Sequence, residues 1–202
     1  MIVIGLTGSI GMGKTTTAKL FAGEGVPVLD SDEVVHGLYR TEAAPLIEAA
    51  FPGTTVAGVV DRQKLGDVLR ENPANFGRLE EIVHPLVRKR QEAFLAAARK
   101  DDRQFALLDI PLLFETGAES RVDKVVVVSC APEIQRERVL SRPGMTEEKF
   151  EMILARQTPD AEKRRRADFI VDSGSGVEAA RDQVREILQK LAAESRRGEM
   201  NA

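Results

Sequence analysis

GSIGMGKTT, residues 8–16, follows directly on the apolar run Ile2-Val3-Ile4-Gly5-Leu6. Gly8, Gly11 and Gly13 each free backbone that folding must then fix. A segment so costly to order has to wrap something closely. The spacing Gly8-x-x-x-x-Gly13-Lys14-Thr15 is that of a phosphate-cradling P-loop. Such a glycine turn, with the helix start behind it, aims backbone N–H groups at anionic oxygens. On this reading Gly8, Gly11, Met12, Gly13, Lys14, Thr15 and Thr16 hold the phosphates of a nucleotide. Lys14 reaches the β- and γ-phosphates, and the Thr15 hydroxyl ligates Mg²⁺. The motif requires a strand before and a helix after, and both are predicted. The other glycine fingerprint, the G-x-G-x-x-G of dinucleotide-binding folds, fails because the third residue after Gly13 is Thr16.

A chain of 202 residues buries roughly 70% of its unfolded surface without staples. With 43% hydrophobic and 30% charged residues it has the composition of an ordinary soluble globular protein. A net charge of −3 argues against broad nucleic-acid binding, though not against a local basic pocket. Cys130 is the one cysteine, so no internal disulfide forms and a reducing compartment is expected. It follows a valine run, where a thiol is a buried, inert group. No apolar stretch approaches ~18 residues and the first residues lack a secretory pattern. The expectation is a cytoplasmic protein without nucleic-acid or membrane partners, monomeric or weakly self-associating.

Five apolar runs read as buried strands: residues 2–6, 26–29, 105–110, 124–129 and 168–171. Val125–Val128 is apolar in succession, as where helices cover both faces of a sheet. Helical patterns lie between, including 15–22 and 177–191, and the polar tail after Leu191 is expected to fray. Alternation of this kind means an α/β fold with a parallel sheet. Two stretches exceed the dozen or so residues that a crossover needs. Residues 32–104 read as mostly helical, broken at Pro52-Gly53, Asn72-Pro73 and His84-Pro85. Residues 136–166 carry nine Lys/Arg against six Asp/Glu, the composition of a small cover over a polyanion.

The phosphate-acceptor chemistry is sought in VLDSDEVVH, residues 28–36. Asp30 and Asp32 in extended backbone would point to one side. At the C-terminal edge of such a sheet that side faces the ligand crevice. A carboxylate there can take the proton of a hydroxyl attacking the γ-phosphate. Either Asp could instead cap the next helix; the expectation is Asp32 functional, with Asp30 or Ser31 structural. Asp109 ends a strand and could hold Mg²⁺ through water, or be a plain polar strand end. Of the two histidines, His36 and His84, the latter precedes a proline at an expected helix start and by position alone is structural. No N-K-x-D base reader of a GTPase occurs.

The set LTGSIGMGKTT, VLDSD, LEEIVHPLVR, DIPLLFETG and RERVLSR…ARQ…EKRRRADFIVD closely resembles the dephospho-coenzyme A kinase family, in order and spacing over nearly the whole chain. The resemblance implies ATP- and Mg²⁺-dependent phosphorylation of the ribose 3′-hydroxyl of dephospho-CoA, the last step of coenzyme A synthesis. It implies a nucleoside-triphosphate hydrolase-like three-layer core (1–32, 103–135, 167–202), a helical acceptor domain (33–102) and a basic lid (136–166). Asp32 falls on the proposed base, Lys14 and Thr15 on ATP and Mg²⁺ ligands, and His84 on a substrate-binding histidine. Arg138, Arg142 and Lys163 match basic lid positions: Arg138 for ATP, Arg142 for catalysis, Lys163 for substrate. Arg164–Arg166 have no counterpart and are expected to be solvated. Ser173 stands where many members have Asn, near the adenine edge. The alternatives are another small-metabolite or nucleoside kinase of this architecture and a non-catalytic nucleotide-binding switch, which would need neither Asp32 nor the basic lid.

Overall fold

The structure, a computed structural model, describes residues 1–200, with side chains as far as Arg196. The elements run β1 Ile2–Thr7, α1 Lys14–Gly23, β2 Val28–Asp30, α2 Ser31–Leu38, α3 Ala43–Ala50, β3 Thr55–Val56, β4 Val59–Val60, α4 Arg62–Glu71 and α5 Asn75–Lys100. Then follow β5 Phe105–Asp109, β6 Lys124–Ser129, α6 Pro132–Leu140, α7 Glu147–Leu154, α8 Asp160–Arg166, β7 Phe169–Asp172 and α9 Val177–Met200. Two compact units result, one of residues 1–28 with 98–202, the other of residues 29–97.

The first unit is built on a five-stranded sheet of order β2-β5-β1-β6-β7, with β1 parallel to β5 and β6, and β6 parallel to β7. The unbroken apolar runs have their cause here: β1 and β6 are buried along almost their whole length. Helices therefore cover both faces, as parallel connections demand. Ile4, Leu6, Leu107, Val126 and Val171 from the strands pack with Phe21 of α1 and Val184, Ile187 and Leu191 of α9. Removing this apolar area from water supplies roughly 25 cal/mol per Å². The register pairs Leu6 with Asp109, so the last residue of β5 arrives beside the end of β1, where the glycine loop begins. Past Leu191 the chain does not fray as expected. α9 continues to Met200, and Glu194 pairs with Lys124 at 3.1 Å.

The unit of residues 29–97 has its own core of Leu38, Ala44, Ile47, Phe51, Leu65, Leu69 and Val83. Two expectations fail here. The break at His84-Pro85 does not occur, because Pro85 lies inside the continuous helix α5. An interior proline costs a helix about 3 kcal/mol. Leu79, Ile82, Val83, Leu86 and Val87 around it all pack on this core, and that burial carries the helix through. The segment is also not wholly helical: β3 and β4 pair antiparallel, Thr55 with Val60 and Val56 with Val59. Ala57 and Gly58 between them both take positive φ, as a tight primed hairpin turn requires.

Candidate active site

Each glycine of the 8–16 loop is needed for a separate reason. A Cβ on Gly8 would lie 2.7 Å from the Val128 carbonyl oxygen, and one on Gly11 2.4 Å from Val139 Cγ2. Gly11 and Gly13 also hold φ near +79° and +89°, where other residues are strained. Gly13 caps α1 without any side-chain hydrogen bond, and the helix has no acidic residue in its first turn. Its leading N–H groups thus carry the positive end of the helix dipole with no carboxylate to neutralise it. Thr15 and Thr16 are exposed at this start, whereas the buried Thr17 turns its hydroxyl back to the Gly13 carbonyl. Met12 contributes backbone only: its side chain is buried, with Sδ accepting the Cys130 N–H.

Lys14 Nζ lies 2.7 Å from Asp109 Oδ1, and Asp109 is 1% exposed. The Leu6–Asp109 register produces this pair. Beside the loop, a cavity of about 350 Å³ is lined by Gly11, Gly13, Thr16, Arg138, Arg142 and Ser173. Arg138 forks onto Ser173, Nη1 to Oγ at 2.9 Å and Nη2 to the carbonyl oxygen at 2.8 Å. The Ser173 hydroxyl donates to the Met12 carbonyl at 2.7 Å, so this residue joins the loop to a cation. Arg142, one turn beyond Arg138, is exposed at the same cavity. Cys130 is buried, and that burial pushes its thiol up, as an inert group requires.

The remaining basic residues of 136–166 divide. Arg136 donates to both carboxylate oxygens of Glu147, which holds its guanidinium in the charged form. Lys163, expected to reach substrate, is fully buried with Nζ 3.0 Å from Glu115 Oε1. Burial alone would raise the Glu115 carboxyl, but the Thr158 N–H and Lys163 outweigh it and hold it below its ordinary range. In this arrangement the Lys163 ammonium is paired inside the fold and closed to solvent. Arg166 is not simply solvated either: it lies over the Phe114 ring at 4.2 Å and pairs with Glu119.

In the unit of residues 29–97, Asp30 and Asp32 do not form an extended pair. Asp30 caps α2, accepting the N–H groups of Asp32 at 2.8 Å and Glu33 at 3.2 Å. Asp32 is therefore in the first helical turn, exposed. Ser31 is buried and accepts from Gln91 Nε2 at 3.2 Å. Asp32 and His36 are one turn apart on one helix face and line a cavity of about 290 Å³ with Tyr39, Arg62, Leu65 and Leu79. Arg62 Nη1 is 2.6 Å from His36 Nε2. A guanidinium only donates, so the ring accepts at Nε2 and carries its hydrogen on Nδ1. Burial raises the Tyr39 phenol while the charge of Arg62 pulls the other way. His36, Tyr39 and Arg62 were not singled out from sequence, although His36 stands four residues after Asp32 in a helical pattern. His84 lies within α5, half-buried, and does not line this cavity.

A family model for dephospho-CoA kinase matches residues 2–179. A dephospho-CoA kinase of Agrobacterium fabrum is 90% identical over 193 residues, covering 96% of this chain and 100% of the relative. One from Mesorhizobium japonicum is 64% identical, covering 95% and 97%. Among solved structures, the dephospho-CoA kinase from Campylobacter jejuni aligns with a TM-score of 0.72 at 25% identity, covering 96% of this chain and 98% of that one. Shikimate kinase from Acinetobacter baumannii shares the fold, with a TM-score of 0.51 at 21% identity over 96% and 94% of the two chains. An uncapped glycine loop with a paired lysine, a basic cavity beside it and near-complete similarity lead to one conclusion: the chain belongs to the dephospho-CoA kinase family.

Proposed function

We propose that this chain transfers the γ-phosphoryl group of ATP to the ribose 3′-hydroxyl of dephospho-CoA, the closing step of coenzyme A synthesis, in the cytoplasm and as a monomer or weak homo-oligomer. The observation that carries this reading is the open start of α1, with Lys14 beside it and no side chain capping its donors. Phosphoryl transfer asks the protein for positioning and charge stabilisation more than for covalent chemistry. The loop N–H groups and Lys14 hold the triphosphate, Arg138 and Arg142 flank the base and phosphates, and residues 136–166 act as the lid. Residues 33–102 form the acceptor domain. Asp32, the residue just before it, takes the hydroxyl proton as the new O–P bond forms, with His36, Tyr39 and Arg62 shaping the acceptor cavity and His84 a further acceptor contact.

The oxygen donors fit Mg²⁺. Thr15 offers an exposed hydroxyl and Asp109 a carboxylate, and Mg²⁺ keeps waters and leans on the nucleotide's own phosphates rather than on a protein cage. No group of three or more His, Cys, Asp or Glu side chains placed to hold a metal ion is found among the described residues. Bound there, the ion would offset charge on the phosphate oxygens. No helix among the described residues is long and apolar enough to cross a membrane.

Coupled ADP release with dephospho-CoA, adenosine and shikimate compared side by side tests the proposal. Turnover should require dephospho-CoA and give a 3′-monophosphate by phosphorus NMR. Equal turnover with shikimate, or ADP release indifferent to acceptor, would overturn it.

A further inference from the structure

Both polar groups of the Ile10 peptide, in the middle of the glycine loop, are taken by side-chain amides. Its N–H donates to Gln157 Oε1 at 3.1 Å, and its carbonyl accepts from Gln135 Nε2 at 2.7 Å. Gln135 belongs to α6, which packs against the loop: a Cβ on Gly11 would come within 3.0 Å of the Gln135 carbonyl oxygen. Gln157 lies in the turn between α7 and α8, inside the 136–166 segment. Its base is fixed. The next residue, Thr158, donates its N–H to Glu115 Oε1 at 2.7 Å, and the buried Lys163 meets the same carboxylate at 3.0 Å. One turn earlier on α8, Asp160 accepts from Ser129 Oγ at 2.7 Å.

We propose that Gln157 is a positioning residue that sets the phosphate loop before ATP arrives by holding the Ile10 N–H from the lid segment. This rests on the donor-site reading above. A loop that binds oxyanions through its backbone gains affinity when its N–H groups are ordered beforehand, because less freedom is lost on binding. Gln157 supplies an acceptor oxygen without charge. Glutamate would accept the same N–H but place a negative charge beside the incoming phosphates, and methionine keeps the length of the side chain but removes the amide acceptor. The glutamine answers both demands, which explains an amide where the surrounding segment is otherwise rich in ions.

Gln157→Met should raise KM for ATP about 10-fold while kcat stays within about 3-fold, the worth of one hydrogen bond used in ordering the loop. KM for dephospho-CoA should hold. Amide exchange at Ile10, read by NMR on nucleotide-free protein, should quicken in this variant. Gln157→Glu keeps the acceptor, so Ile10 exchange should stay slow, yet KM for ATP should rise at least as far and fall back as salt is added. A purely structural glutamine would lower the melting temperature in both variants without this split between exchange and salt dependence. Unchanged KM for ATP in both variants, unchanged Ile10 exchange in Gln157→Met, or failure of both variants to fold would each overturn the proposal. Ile10 exchange on nucleotide-free protein and the Kd of an ATP analogue, measured beside KM and expected to rise with it, do not depend on the acceptor, so a wrong acceptor assignment would leave those two results standing.

Discussion

Lys14, proposed above as a phosphate ligand, is also the cation of a nearly buried pair, so its removal should act twice. It is 14% exposed and held by Asp109. Lys14→Ala should abolish phosphoryl transfer and also lower stability by ~2 kcal/mol, since a carboxylate in a poorly solvated place loses the cation beside it. Adding Asp109→Asn should restore most of the melting temperature without restoring activity. If the double variant melts no higher than Lys14→Ala, the pair is not what couples site and stability. Asp32→Asn separates the other way. Asp30 keeps capping α2, so the fold should hold, while kcat falls at least ~10²-fold with little change in ATP affinity. A fall under ~10-fold would make Asp32 a positional residue and not a base. At this scale the donor loop was legible because its geometry is local: consecutive residues carry it. The cavity proposed for the acceptor was not. Arg62 meets His36 across 26 positions, and only the packing of α4 on α2 brings them together. Lys163 illustrates the converse, since charge composition alone does not tell a solvated cation from a buried one.

The elements whose causes are local were read correctly from sequence: the five strands, the helix after the loop and α9 as far as Leu191. Those decided by packing were not, as Pro85 inside α5 shows. The hairpin of β3 and β4 was hidden because Ala57, not Asn or Gly, occupies a positive-φ turn position. Next to it, Glu48 of α3 binds the loop leading into this hairpin, accepting from Gly53 N–H at 2.7 Å, Thr55 N–H at 2.9 Å and Thr55 Oγ1 at 2.8 Å. Those donors, the Gly53 N–H foremost, hold its carboxyl below the ordinary carboxylate range. The folded protein therefore keeps this group ionised to lower pH than the unfolded chain does. The stability it contributes is present above about pH 5 and fades as pH falls through and below the ordinary carboxylate range. Glu48→Gln should melt below wild type at pH 7, and the gap should narrow as pH falls through and below the ordinary carboxylate range. A gap that stays constant across this range would show that the amide is lost packing, not a lost anion.

Two compact units share one chain, and each owns one of the two cavities described: Arg138, Arg142 and the glycine loop in residues 1–28 with 98–202, Asp32 and Arg62 in residues 29–97. A ligand lowers the opening of whatever it contacts, and amide exchange slows there first. An ATP analogue alone should therefore protect residues 8–17 and slow exchange across 136–166, as a lid drawn over the triphosphate would. Arg138 and Arg142 line the donor cavity, and anionic phosphates offset the repulsion that two neighbouring guanidinium groups feel. Dephospho-CoA alone should instead protect α2 and the start of α4, where Asp32, His36 and Arg62 lie. Hydrogen exchange followed by mass spectrometry on each binary complex reads both at once. Protection by dephospho-CoA confined to the glycine loop would move the acceptor out of residues 29–97, and unchanged exchange in 136–166 with the ATP analogue would remove the lid. If each ligand protects its own unit, turnover must wait on both, and Asp32→Asn should leave the two protection patterns intact while the product fails to form.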